Sequence, residues 1–280
     1  MGKVTFSTGT FGSEYSLASR IEFLIARGVT AIELSGGNHE KGWSTVVSSF
    51  GHVEFSFHNY FPPPEHPFVF NLASFDDGLR AASINLCKEG IRLSSEYGHN
   101  FFSFHAGFCF DPSPASLGSE LQSMSALQDT DAANDIFSRS LDDIVSFADR
   151  YKVKPVVENN VLTGDTKARW GRNSLLLTTA EDLGRFSERW GLGIGLLLDV
   201  GHLKVSSSAL GLDFDSELSQ SLPLASALHL HSNGGLGDQH LGVTGRENWW
   251  PSIKARNDIP WTFEVVPEDI EETIRNLGYR

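Results

Sequence analysis

Short apolar runs alternate with longer amphipathic stretches along the whole chain. Runs of apolar residues that are too short for helices are typical of strands buried on both faces of a sheet. They are predicted at residues 3–7, 31–35, 53–58, 101–105, 155–158, 194–199, 227–231 and 261–266. The pattern therefore predicts eight strands.

The stretches between these runs have the spacing of helices. Leu17, Ile21 and Leu24 fall on one helical face, and Gly28 follows as a stop signal. Longer amphipathic stretches predict helices at residues 76–97 and 131–151. Thr179 has the character of an N-cap, and Pro267 is suited to open a terminal helix over residues 267–277. Strands and helices thus alternate from end to end.

Eight alternating strand and helix units predict parallel pairing, and eight is the number at which such a sheet closes into a barrel. We therefore expect a (β/α)8 TIM barrel, a single domain over residues 1–280. An open doubly wound sheet is the alternative, but no Gly-x-Gly-x-x-Gly turn follows the first strand. The least regular segments, 62–67, 111–127, 161–173 and 234–248, each follow a strand. They are expected at the C-terminal face of the barrel, where such enzymes hold their active sites.

Carboxylates and imidazoles stand at or just after the ends of the third to the eighth strand. They are His58, His105, Glu158, Asp199, His202, His229, Asp238, His240 and Glu264. So many ionisable groups in one mouth would repel each other or require desolvation unless cations lay among them. Imidazole and carboxylate ligands without thiolate suit zinc, manganese or iron. The pattern predicts a divalent-metal site.

Each of these residues also has a structural interpretation when taken alone. Asp199 could cap the helix that follows it, and His58 or His105 could be a hydrogen-bonded core histidine. Their recurrence at consecutive strand ends favours the metal site. His231 alternates with His229, and we expect it to face the other way, outside the ligand set. No metal role is assigned to His39, His52, His66 or His99.

Composition narrows the range of functions. Hydrophobic content of 40% is sufficient for a large core, and the two cysteines, Cys87 and Cys109, suit a reducing compartment. The sequence has no run of about 18 apolar residues and no signal peptide, so a soluble, cytoplasmic protein without a membrane partner is expected. The net charge of −13 argues against nucleic acid as the partner.

Several motifs resemble one known group of proteins. They include Phe104-His105-Ala106-Gly107, Val157-Glu158-Asn159, Leu198-Asp199-Val200-Gly201-His202 and Asp238-Gln239-His240. From about Val4 to Leu277 the chain resembles the xylose-isomerase-like TIM-barrel superfamily (AP endonuclease family 2). That superfamily contains sugar isomerases and epimerases as well as the endonuclease IV group of apurinic-site phosphodiesterases.

Resemblance to the epimerases implies one divalent ion, zinc or manganese, held by Glu158, Asp199, His229 and Glu264. His202 would lie near the substrate, and Glu158 and Glu264 would remove and return a proton through a metal-stabilised enediolate. Two further residues, Asn159 and Arg246, are expected to bind substrate. This implies an isomerase or epimerase acting on a small sugar or sugar phosphate, which is the leading expectation.

Resemblance to endonuclease IV implies three zinc ions on all nine ligands, with Glu158 bridging two of them. His58 and His105 would complete one site, and His202, Asp238 and His240 would form the third. The alternative function is therefore a multinuclear zinc phosphoester hydrolase. A catalytically silent binding barrel is a third interpretation. One to three ions are thus expected, and a homodimer is compatible with this type of barrel.

Overall fold

The computed structural model describes residues 3–112 and 126–278. Eight strands lie within them: β1 Val4–Ser7, β2 Ala31–Leu34, β3 Glu54–Phe57, β4 Phe101–His105, β5 Lys154–Glu158, β6 Gly195–Asp199, β7 Ala227–Leu230 and β8 Trp261–Phe263. All eight coincide with predicted runs, although several are shorter by one to three residues. Most of the irregular segment predicted at 111–127 lies outside the described residues.

The strands form one parallel sheet in the order β3-β2-β1-β8-β7-β6-β5-β4. Between β3 and β4 the only described strand pairing is a parallel bridge of His58 to Ser103. Asn59 extends this junction, since its N–H donates to the Ser103 carbonyl at 3.1 Å and its Oδ1 accepts from the His105 N–H at 3.0 Å. The barrel is therefore nearly closed, and the predicted TIM barrel is confirmed.

Helices follow most of the strands. They are α1 Leu17–Ile25, α2 Trp43–Ser49, α3 Asp77–Glu96, α4 Thr130–Tyr151, α5 Gly164–Trp170, α6 Ala180–Trp190, α7 Val200–Leu210, α8 Phe214–Ser221, α9 Trp250–Ala255 and α10 Pro267–Leu277. As predicted, Thr179 caps α6 by accepting from the Asp182 N–H at 3.2 Å. None of the described helices has the length and apolar character needed to cross a membrane.

The barrel interior is apolar at the bottom and ionisable at the top. A small apolar cluster, separate from the main core, contains Val156, Leu197 and Ala227. Each of these residues stands two positions before an ionisable residue near the end of β5, β6 or β7. Because alternate residues of a strand share a face, the ionisable groups lie above this cluster inside the barrel. The residues between them point outward and form the main core with the helices.

Candidate metal centre

Four buried side chains from four neighbouring strands meet in the barrel mouth. Glu158, Asp199, His229 and Glu264 each offer one ligand atom, and these atoms lie within 4.8 Å of one another. His229 Nδ1 is 3.2 Å from Glu158 Oε1, 3.3 Å from Glu264 Oε2 and 4.0 Å from Asp199 Oδ2. We call these four residues the central group.

The central group has the donor set and the unmet polar atoms that a divalent cation requires. Both oxygens of Glu158, Asp199 Oδ2 and His229 Nδ1 are buried without a hydrogen-bond partner. Three buried carboxylates together are costly unless a positive charge compensates them. Three oxygens and one imidazole nitrogen suit zinc or manganese. The residues therefore fit the metal that the sequence predicts.

Glu33 on β2 orients His229, and sequence reasoning missed it. Its Oε2 lies 3.2 Å from His229 Nε2, and only 2% of its surface is exposed. Since a carboxylate accepts hydrogen bonds, the pair places the His229 proton on Nε2 and leaves the Nδ1 lone pair facing the central group. The available signal was a single charged residue within the apolar run Ala31-Ile32-Glu33-Leu34.

Glu158 also faces a second set of ligands. Its Oε2 lies 3.2 Å from His58 Nε2 and 2.9 Å from His105 Nδ1, whereas its Oε1 faces His229. The other ring nitrogen of His58 is 2.9 Å from the Ser103 hydroxyl, which fixes the ring. The two oxygens of Glu158 thus point into two different ligand groups. That is the arrangement of a bridging carboxylate.

A third group surrounds Asp238, in the loop after β7. His202 Nε2 and His240 Nε2 lie 3.2 and 3.1 Å from Asp238 Oδ2. The other ring nitrogen of each histidine is 2.9 Å from a backbone carbonyl, of Asn159 for His202 and of Glu264 for His240. Because these carbonyls accept the Nδ1 proton, the Nε2 atom of each ring is the one that is available to an ion beside Asp238.

His231 also faces the site, so the expectation that it points away is wrong. Its Nε2 is 3.2 Å from Asp199 Oδ1 and 3.3 Å from Asp238 Oδ1, and the side chain is fully buried. Residues two apart in a strand share a face, so His231 continues the inward face of His229. Applying this rule to the sequence would have placed His231 on the same face as His229, among the candidate ligands.

The charged side chains of the site strongly shift each other's pKa values. Burial alone would raise the pKa of Glu158, but His105, His229 and His58 together lower it well below its ordinary value. Burial alone would lower the pKa of His240, but the hydrogen bond that its ring donates to Asp238 and the charge of Glu264 raise it to about 9. Carboxylates and imidazoles thus compensate each other's burial.

The position of Asp199 fits both of the roles considered from the sequence. Its Oδ1 accepts from the His202 N–H at 2.7 Å and so caps α7, while its Oδ2 faces the central group. Asn159, expected to bind substrate, instead holds the backbone of Asp199: its Oδ1 accepts from the Asp199 N–H at 2.7 Å and its Nδ2 donates to the Asp199 carbonyl at 3.1 Å. Asn159 is fully buried and is a positioning residue.

Comparison with known proteins agrees with this architecture. The sequence profile of the xylose isomerase-like TIM barrel family, which includes the AP endonuclease 2 group, matches residues 28–273. The chain belongs to this family. No curated protein matches the chain in sequence.

Solved structures show how widely the xylose isomerase-like barrel is used. A D-tagatose 3-epimerase-like protein superposes with a TM-score of 0.68 at 18% identity, covering 99% of this chain and 94% of the other. The 3-keto-D-glucoside 4-epimerase from Escherichia coli superposes with a TM-score of 0.67 at 12% identity, covering 100% of this chain and 98% of the other. Endonuclease IV from Thermus thermophilus superposes with a TM-score of 0.59 at 13% identity, covering 99% of this chain and 100% of the other. At these identities the likeness shows the fold.

A cavity of about 190 Å³ opens above the ligand groups of this xylose isomerase-like barrel. It is lined by His105, Phe108, Asn160, Val161, His202, Asp238, His240 and Glu264. Arg246, expected to hold a phosphate or hydroxyl, instead lines a different cavity with Val4, Trp250 and Lys254. The structure therefore brings all nine predicted ligands together but leaves Arg246 apart from them.

Proposed function

We propose that this protein is a divalent-metal-dependent hydrolase of a small phosphoester, such as a sugar phosphate, with a multinuclear centre. The observation that carries the proposal is Glu158. Its Oε1 faces His229 and its Oε2 faces His58 and His105, at 2.9 to 3.2 Å. A bridging carboxylate supports two ions, whereas a single-ion epimerase needs only the Oε1 side.

The burial of His58 supports the same proposal. Only 2% of its surface is exposed, and its Nε2 is directed at Glu158 rather than at the cavity. His58 is therefore out of reach of a substrate and fits the role of a metal ligand. We therefore place phosphoester hydrolysis, the alternative expected from the sequence, ahead of epimerisation, which was the leading expectation.

The chain's own residues would prepare the site for phosphoryl chemistry. Bound divalent ions would neutralise the phosphoryl charge and lower the pKa of water. Among the described residues, no Lys or Arg lines the cavity, so ions held next to Glu158, where His105 borders the cavity, would bind the phosphate. Phe108 and Val161 provide an apolar wall that limits the access of water. Glu264, whose pKa His229 and His240 hold well below its ordinary value, would stay ionised and so be available to hold an ion.

The acidic chain favours a small substrate. A net charge of −13 disfavours a duplex gripped through its phosphates. The cavity volume of about 190 Å³ lies below the range of roughly 300–1,000 Å³ that is usual for drug-sized ligands. The compartment and the oligomeric state stay predictions.

Epimerisation of a small sugar is the second candidate. It is favoured by Glu158 Oε1 and Glu264 Oε2, which lie 3.2 and 3.3 Å from His229 Nδ1. Two carboxylates at one ion could remove and return a proton on a substrate held between them. This reaction would require only the central group.

Metal content and activity together test the proposal. Protein purified without chelator is analysed for metal per chain, then assayed with p-nitrophenyl phosphate, its bis-ester and sugar phosphates for phosphate release. Ketoses are assayed in parallel for epimerisation. We expect two or three ions per chain and phosphoester cleavage. One ion per chain with ketose epimerisation would refute the hydrolase.

Two variants sharpen the test. His58→Ala and His240→Ala should each lose metal and phosphoester cleavage together, because each removes a ligand of a different group. His66→Ala is the matched control, because His66 is exposed in the loop after β3. Full metal retention by both ligand variants would contradict the multinuclear centre.

A further inference from the structure

Three histidines surround the carboxylate of Asp238. His202 Nε2 and His240 Nε2 approach Oδ2 at 3.2 and 3.1 Å, and His231 Nε2 approaches Oδ1 at 3.3 Å. We call His202, His231, Asp238 and His240 the histidine cluster. Three imidazoles and one carboxylate therefore meet at the edge of the substrate cavity.

His231 is buried with a nitrogen that nothing in the described structure satisfies. Its Nδ1 lies 3.4 Å from the Ser232 carbonyl, which accepts a proton from that side of the ring. Its Nε2 and Asp238 Oδ1 are buried without hydrogen-bond partners. With the proton on Nδ1, the Nε2 lone pair faces the oxygens of Asp199 and Asp238. Lone pair and carboxylates would repel each other unless a cation lay between them.

Gly201 provides the space that His231 occupies. A Cβ at position 201 would stand 2.1 Å from His231 Cε1, far inside van der Waals contact. The His231 ring in turn packs against His240 with centroids 4.3 Å apart. The first turn of α7 is thus shaped to admit an imidazole directed into the cluster.

We propose that the histidine cluster binds one zinc ion with four protein ligands, and that His231 is the fourth. The proposal rests on the multinuclear centre proposed above and deepens it. Zinc bonds of about 2.0 Å in a tetrahedron place neighbouring ligand atoms roughly 3.3 Å apart. The distances from Asp238 Oδ2 to His202 and His240, and from Asp238 Oδ1 to His231, are close to this value. A zinc site with four protein ligands has no open position, which is the character of a structural site.

This assignment gives the ions in the barrel mouth two different roles, one structural and one in substrate binding. The closed zinc would fix the loop that carries Asp238 and His240 over the cavity. Substrate would then be bound at the ions next to Glu158, where His105 borders the cavity. The opposing interpretation is that His231 only positions Asp199 and Asp238 by hydrogen bonds, without touching an ion.

Metal release and cobalt spectroscopy on the full-length protein distinguish these interpretations. In the cobalt-loaded wild type, a closed cluster gives the intense visible absorption of one tetrahedral Co²⁺ per chain. His231→Asn should remove that absorption and speed release of one zinc equivalent to a chelator by more than about 100-fold. Loss of an outer-sphere partner accounts for only about 10–100-fold in metal affinity. Gly201→Ala should act in the same direction by displacing the ring, and His66→Ala is the control.

Each outcome bears on the proposal. An unchanged cobalt spectrum in His231→Asn, with release within about 100-fold of the wild type, would overturn it and make His231 a positioning residue. If His231→Asn does not fold, absence of tetrahedral Co²⁺ in the wild type would overturn it equally. Three ions in the wild type with no effect of His231→Asn would refute this proposal alone. A single ion per chain, lost in Glu158→Gln, would refute the multinuclear centre as well.

Discussion

Glu33 gives the sharpest test of how the central group is prepared for metal. Its buried Oε2 accepts the Nε2 proton of His229 at 3.2 Å and a hydrogen bond from the Thr262 hydroxyl at 3.4 Å. A carboxylate in this position both fixes the ring and makes Nδ1 a stronger donor to a metal. Glu33→Gln keeps the size of the side chain but removes its charge.

The expected loss of metal affinity in Glu33→Gln follows from the role of Glu33 as an outer-sphere partner of the ion. Loss of such a partner lowers metal affinity by about 10–100-fold, which corresponds to about 1.4–2.8 kcal/mol. Only the ion that His229 binds should weaken in Glu33→Gln. The histidine cluster should keep its ion, because no described contact joins Glu33 to it.

Competition with a chromophoric chelator measures the dissociation constant of each ion. Glu54→Gln is the control, because Glu54 is an exposed glutamate in β3, where it pairs with Lys3. We expect Glu54→Gln to bind metal like the wild type. A change of less than about threefold in Glu33→Gln, or equal weakening of all ions, would refute the assigned role, because an outer-sphere partner should act on its own ion by about tenfold or more.

Three further predictions concern positioning, specificity and packing. Asn159→Ala should destabilise the fold by about 1–3 kcal/mol for each Asp199 backbone group left unsatisfied, measured by urea denaturation, with the substrate KM little changed. Arg246→Ala should leave kcat/KM for a small phosphoester near the wild-type value, because Arg246 lines a separate cavity; a tenfold loss would contradict this placement. Gly90→Ala should lower stability by about 1–3 kcal/mol, because its Cβ would lie 2.2 Å from the fully buried Phe102 ring. Gly184→Ala, in α6 with no atom within 4 Å of its Cβ, should instead gain about 0.5–1 kcal/mol.

Local patterning was enough to predict the barrel. The apolar runs of β4 and β6 and the start of α10 at Pro267 can be read from a few neighbouring residues. Short helices carry weaker signals: α5, Gly164–Trp170, lies inside a segment predicted to be irregular and buries none of its residues. Without a buried face, such a helix leaves little periodicity in the sequence.

The convergence of the candidate ligands was predictable because parallel strands end at one mouth, but the hydrogen-bond partners of these residues were not predictable. The role of Asn159 depends on the register of β5 against β6, which sets its amide beside the Asp199 backbone. Glu33 is paired with a histidine 196 positions away. Contacts of this range depend on the closed barrel, and no local pattern specifies them.

The distribution of apolar residues also indicates how the proposed metal centre would affect the stability of the fold. Outward strand residues such as Phe57 and Leu198 pack into the main core, while the upper interior is given to carboxylates and imidazoles. These buried groups cannot contribute hydrophobic stabilisation, and their burial is costly where no opposite charge compensates it. A metal that binds the assembled site and not the unfolded chain would add its binding free energy to stability where the barrel lacks apolar packing. If the proposed function holds, the reaction would take place in the part of the barrel whose stability depends most on bound ions.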